Sequence, residues 1–199
     1  MRSLFLLLTA AALTAGGQPP PDKKDKDPQS KFEPRSGPGA GQKYLERYVG
    51  EWAVEKSFFP RNGGDPSVSR GSCKQEMIHG GRFLKSEFTF DGPNGPTTGT
   101  GVIGFEPESG RFTSSWIDSR QTRMSFRQSK DKFGGEEIVL FGQELGTDQQ
   151  ARRSKTVTRL EAGGAKVVHR QFSIAADGTE RLVMQLQLTR KPAAPAKSP

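Results

Sequence analysis

The chain of 199 residues is long enough for one ordinary domain with tails, and its 32% hydrophobic content is low for a chain packed along its whole length. A single Cys excludes an intramolecular disulfide scaffold and a cysteine-knotted metal site, and only two His, His79 and His169, exclude a histidine-rich metal cage. The formal charge is +8, but residues 36–190 carry 22 Lys and Arg against 18 Asp and Glu, an ordinary balance that predicts no nucleic-acid partner.

The first segment, MRSLFLLLTAAALTAGG, places one basic residue, Arg2, before a short apolar run and ends in small residues. This pattern predicts a signal peptide over residues 1–17, cleaved near Gly17, and export to the periplasm or beyond. The run from Leu4 to Leu13 is too short to cross a ~30 Å hydrocarbon layer as a helix, so no transmembrane segment is expected once the leader is removed. Residues 18–41 are dominated by Pro, Gly and alternating charge, which predicts a disordered linker, and residues 192–199 read as a tail of the same kind.

Residues 42–191 form the predicted domain. Gln42–Val49 reads as a short helix, and from there the pattern has period two, interrupted by turn signals such as Asp91-Gly92-Pro93-Asn94-Gly95 and Asp177-Gly178. Ten strands are expected, near 51–59, 67–79, 82–91, 97–105, 111–118, 120–129, 135–143, 152–161, 165–175 and 179–190. So many strands with one apolar face each predict an all-β fold, a single ten-stranded antiparallel up-and-down barrel. Alternation assigns the inner face. It takes Cys73, Gln75, Met77 and His79 from the second strand, and Leu84, Phe88 and Phe90 from the third. Phe112 and Trp116 follow from the fifth, and Leu182, Met184, Leu186 and Leu188 from the last. In the ninth strand, Val168, Phe172 and Ile174 are read as inward, which takes Arg170 inward with them and His169 outward.

Gly50-Glu51-Trp52 opens the first strand directly after the helix, and Arg190 shares the parity of the inward leucines in the last strand. In lipocalin-like barrels a Gly-x-Trp at this place closes one end, with a basic residue of the last strand over the indole. Arg190 would supply that cation–π contact here, and Gly50 the close backbone approach. The blocks Val49-Gly50-Glu51-Trp52, His79-Gly80-Gly81-Arg82-Phe83-Leu84, Ile103-Gly104-Phe105-Glu106-Pro107, Trp116-Ile117-Asp118-Ser119 and Leu188-Thr189-Arg190 together resemble the bacterial family called domain of unknown function 1579. The resemblance spans about residues 42–191 and implies a calycin-like barrel in an exported protein, with no assigned activity. Members often carry Tyr-Asp where this chain has Phe105-Glu106. Nitrobindin-type barrels also begin with Gly-x-Trp and hold haem through a His near the C-terminus; the last strand here has no His and His169 is read as outward, so no haem is expected, and no other cofactor is indicated.

A barrel of this strand count encloses room for one small ligand. The expected lining is Trp52, Phe88, Phe90, Trp116, Phe126, Met184 and Leu186, with His79 and Arg170 as polar anchors. The leading expectation is non-covalent binding of a small, largely apolar ligand. The alternative is a filled barrel acting as a structural or interaction module in the cell envelope. No catalytic set emerges. Cys73 and His79 lie six residues apart on one strand, about 20 Å, and cannot form a nucleophilic pair. Asp118 reads first as an Asx-type turn. The arginines Arg120, Arg123, Arg127, Arg152 and Arg153 read as solvated outer faces of strands.

Overall fold

The computed structural model of the protein describes residues 37–146 and 150–192. The expected leader, the linker up to residue 36 and residues 193–199 lie outside the described residues. A short helix, α1 (Ala40–Glu46), precedes ten strands. They are β1 (Gly50–Phe58), β2 (Ser67–Ile78), β3 (Phe83–Phe90), β4 (Thr97–Glu106), β5 (Arg111–Asp118), β6 (Ser125–Gln128), β7 (Glu137–Leu145), β8 (Ala151–Glu161), β9 (Lys166–Ile174) and β10 (Glu180–Arg190).

Every strand pairs antiparallel with its neighbours in the chain, and β1 pairs with β10 to close a ten-stranded barrel. Closure supplies partners for backbone N–H and C=O groups that two free edges would leave open. The register of the closing pair runs from Trp52 opposite Arg190 to Phe58 opposite Met184. Among the described residues no helix is long and apolar enough to cross a membrane.

The domain starts earlier than composition predicts. α1 begins at Ala40, inside the stretch read as linker, and Gly41 and Gln42 are buried. Gly41 lies against the Phe105 ring so closely that an added Cβ would sit 2.2 Å from it. The Gln42 amide donates to the Phe105 carbonyl at 2.7 Å. β6 is shorter than expected, because Asp118 diverts the chain after β5: its carboxylate accepts the Arg120 backbone N–H at 2.9 Å, while the Ser119 N–H reaches back to the Thr98 carbonyl. Only Gln128 and Phe141 pair between β6 and β7, so this is the weakest seam of the barrel.

The core is concentrated at the α1 end. Leu45, Trp52, Phe112 and Leu188 are essentially inaccessible, and Tyr44, Tyr48, Val54, Leu84, Ile138 and Val167 pack with them. Each such side chain contributes roughly 1.5–3 kcal/mol by leaving water. Gly99 and Gly101 of β4 make room for the Trp116 indole, which would lie 2.3 and 3.3 Å from a Cβ at those positions. These glycines serve side-chain packing across the β4–β5 pair.

Candidate functional site

The barrel has a closed end and an open end. At the closed end the Trp52 indole N–H donates to the Tyr48 carbonyl at 2.9 Å. The Arg190 guanidinium lies 4.1 Å above the Trp52 ring centroid. The same guanidinium donates to the carbonyls of Val49 at 2.6 Å, Arg47 at 2.7 Å and Gly164 at 3.0 Å. Arg190 therefore ties the end of α1, the start of β1 and the β8–β9 turn into one stopper. Gly50 permits this approach: its φ is +137°, and an added Cβ would stand 2.7 Å from Arg190.

Beyond the stopper the barrel encloses a cavity of about 1330 Å³. One wall is aromatic. Phe88 meets Trp116 edge-on at 5.6 Å and stacks with Phe90 at 5.7 Å. Met184 and Leu186 line the cavity as well. The opposite wall is polar, because β8 and β9 face each other through Ser154–Ser173, Thr156–Gln171 and Thr158–His169, all lining the interior. Gln75 and Ser86 add a buried polar pair at 2.9 Å, and the Gln75 Oε1 has no partner.

Charge around the cavity and its mouth is unbalanced. Its lining contains eight Lys and Arg side chains and three carboxylates. Asp118 accepts from the Trp116 indole at 3.0 Å and from Arg120 at 3.0 Å. Burial alone would raise the Asp118 carboxyl, but these donors outweigh it and hold it at about 2. Glu144 accepts from Ser125 at 2.6 Å and pairs with Arg123 at 2.9 Å. Lys56 sits 4.0 Å over the Phe90 ring, its pKa lowered by burial and then by Arg120.

The structure relocates several expected site residues. His79 is exposed in the turn after β2, with a φ of +50°, and is not part of the cavity. Phe126 is 63% exposed on the outside: Ser114 of β5 points inward with Phe112 and Trp116, and its partner on β6 is Arg127, which turns the neighbouring Phe126 outward. Arg170 is exposed and donates to Gln185 at 3.0 Å on the outer surface. The β9 parity is thus the reverse of the expectation. Val167, His169 and Gln171 line the cavity and Val168 does not, while Phe172, under the Lys155 ammonium at 5.6 Å from its ring, and Ile174 border the cavity only toward the end of β9. The Lys155 side chain covers Phe172, so an apolar residue stands on the outer parity and the alternation resembles an inner face. A bulge between Leu182 and Met184 likewise puts Leu182 opposite Phe172 and brings Arg181 to the interior. Trp52 forms the floor rather than the wall.

Sequence reading missed Lys56, Arg127, His169 and Arg181 as interior groups. Lys56 shares the parity of Trp52 and Val54, and that signal was available; the others depend on register. Arg120, Arg123, Arg127, Arg152 and Arg153 line the cavity or its mouth rather than coating outer strand faces. His169 accepts or donates at Nδ1 with the Thr158 hydroxyl at 2.8 Å. Burial, and then the Arg127 charge, push it down to about 4, so its ring is neutral at pH 7. Cys73 is buried and its thiol is pushed up to about 12 by burial, which leaves it inert. Among the described residues no three His, Cys, Asp or Glu side chains cluster to hold a metal.

No curated protein matches the sequence. Among solved structures the fold is similar to that of Rv2717c from M. tuberculosis, at 14% identity and TM-score 0.55, over 78% of this chain and 100% of that one. It is also similar to the S-type phycobiliprotein lyase CPES from Guillardia theta, at 10% identity and TM-score 0.51, over 83% of this chain and 98% of that one. At such identities the likeness concerns the fold alone. The model of the protein family of unknown function DUF1579 matches residues 37–190, from the start of α1's lead-in to the stopper arginine, and the chain belongs to that family.

Proposed function

We propose that this protein is an exported carrier that binds a small, largely apolar ligand non-covalently inside its barrel. The observation that carries the reading is the hollow interior: about 1330 Å³, walled on one side by Phe88, Phe90 and Trp116, where a filled module would pack side chains to the centre. Ligand cavities commonly measure about 300–1,000 Å³ and combine apolar walls with a few placed polar groups. The stopper at Trp52 makes the barrel a cup with one mouth, which suits uptake and release of a guest. The leader-like residues 1–17 support a role outside the cytoplasm.

Titration of the purified protein with the neutral apolar fluorophore N-phenyl-1-naphthylamine tests this reading. Saturable probe enhancement is expected, with quenching of Trp fluorescence that is reduced in Trp116→Phe. Absence of saturable binding overturns the proposal, and native mass spectrometry free of any co-purified small molecule weakens it.

A further inference from the structure

Arg127 is the unusual group in the cavity. It projects inward from β6 opposite Ser114 of β5. Its stem passes over Gly142 of β7, where an added Cβ would stand 2.9 Å from the Arg127 Cγ and 3.1 Å from the Ser154 hydroxyl. The glycine therefore opens the path by which the side chain crosses the weak β6–β7 seam toward β8. Its charge reaches His169 on β9, where it is one of the two causes holding that ring neutral. The Arg127 Nε is buried and has no hydrogen-bond partner. Glu144 acts on it only through space: its oxygens accept from Ser125 and pair with Arg123, and neither accepts from the Arg127 Nε. Burial lowers the Arg127 pKa from the ordinary guanidinium range and Glu144 only partly offsets this. A buried guanidinium lacking a carboxylate is expensive in a structure and calls for an anionic partner.

We propose that Arg127 is the head-group anchor of an amphiphilic carboxylate, whose apolar body lies against Phe88, Phe90 and Trp116. The inference rests on the reading that the cavity holds an apolar guest, and it adds the chemical class. A guanidinium fork matches a carboxylate in two parallel hydrogen bonds. The groups beside it on β8 and β9, Thr156, Thr158, Gln171 and the neutral His169, are uncharged and can donate to the same oxyanion. One unpartnered cation among neutral donors suits a singly charged head. The surplus of cations around the mouth attracts such a ligand and repels a cationic amphiphile.

Displacement of N-phenyl-1-naphthylamine by hexadecanoate, methyl hexadecanoate and hexadecylamine tests the assignment. Wild-type protein is expected to release the probe at about ten- to a hundredfold lower concentration of the acid than of its ester. In Arg127→Met that ratio falls to about one, each displacement being referred to that variant's own affinity for the neutral probe. Arg127→Lys retains part of the preference. Equal displacement by acid and ester in the wild type overturns the head-group assignment and leaves the cavity reading standing, as does a preference that survives Arg127→Met. Failure of the probe to bind at all overturns both. Should Arg127→Met not fold, Arg127→Gln, which keeps a polar stem, carries the same comparison.

Discussion

Two arginines on opposite sides of the barrel show how one residue type serves two purposes. Arg190 reaches three carbonyls and lies on the Trp52 ring, so each of its three guanidinium nitrogens donates. Arg127 is also largely enclosed, yet its Nε finds no acceptor. The first arrangement is complete without a guest and belongs to stability. The second is complete only with an anion, and keeping it unfilled costs stability. The surrounding backbone follows the same division. Around Arg190, β1 pairs with β10 over seven residues, whereas beside Arg127 the β6–β7 pairing is a single residue pair.

Substitutions at the two ends test this contrast. The largest effect is expected for Trp52→Ala, which empties the stopper of a fully buried side chain. A loss of about 3–5 kcal/mol in denaturant unfolding is expected, and a loss below about 1 kcal/mol would mean that the stopper is dispensable.

The interior histidine comes next. His169 has a native pKa of about 4, below the ordinary value of 6.5, so the unfolded chain binds the extra proton more readily. Stability is then fully present above pH 6.5 and falls as the pH drops from 6.5 toward 4, by at most about 3 kcal/mol. Melting temperatures recorded across that window should decline in the wild type and flatten in His169→Gln. Asp118, held at about 2 against an ordinary 3.8, contributes its stabilisation throughout this window and loses it only as the pH falls from 3.8 toward 2.

Arg190→Met should cost about 2 kcal/mol, from the cation–π contact and the three carbonyls left without a donor. In a double-mutant cycle with Trp52→Phe the two effects should be non-additive, because the residues touch. By contrast, Arg127→Met should change stability by less than about 0.5 kcal/mol or raise it, since it removes a buried charge without a partner. A large loss there would place Arg127 with Arg190 as a structural group.

The smallest effects are expected on the outer face. Phe126→Ser and Arg170→Ser should each stay within about 0.5 kcal/mol and leave binding of the neutral probe unaltered. A loss of probe binding in either would restore those residues to the lining.

The amino-acid sequence by itself determined the strand number, the antiparallel meander and the stopper. Period-two alternation and turn glycines are local signals, and Trp52 and Arg190 each sit on a face that their own strand declares. Met184 and Leu186 were legible for the same reason, in the clean alternation of β10 after its bulge. The tertiary structure alone decided which face of β9 is inside. Val167 and Val168 are both apolar and both buried, so alternation names two faces without saying which one meets the cavity. Only the register with β8 and β10, where His169 stands between Thr158 and Leu186, settles it. Phe126 and Arg127 changed places for a related reason. A four-residue strand carries too little pattern to orient itself, and its facing is imposed by β5. The bulge at Leu182 leaves no mark in composition, because one extra residue in the ladder reverses parity without altering residue type.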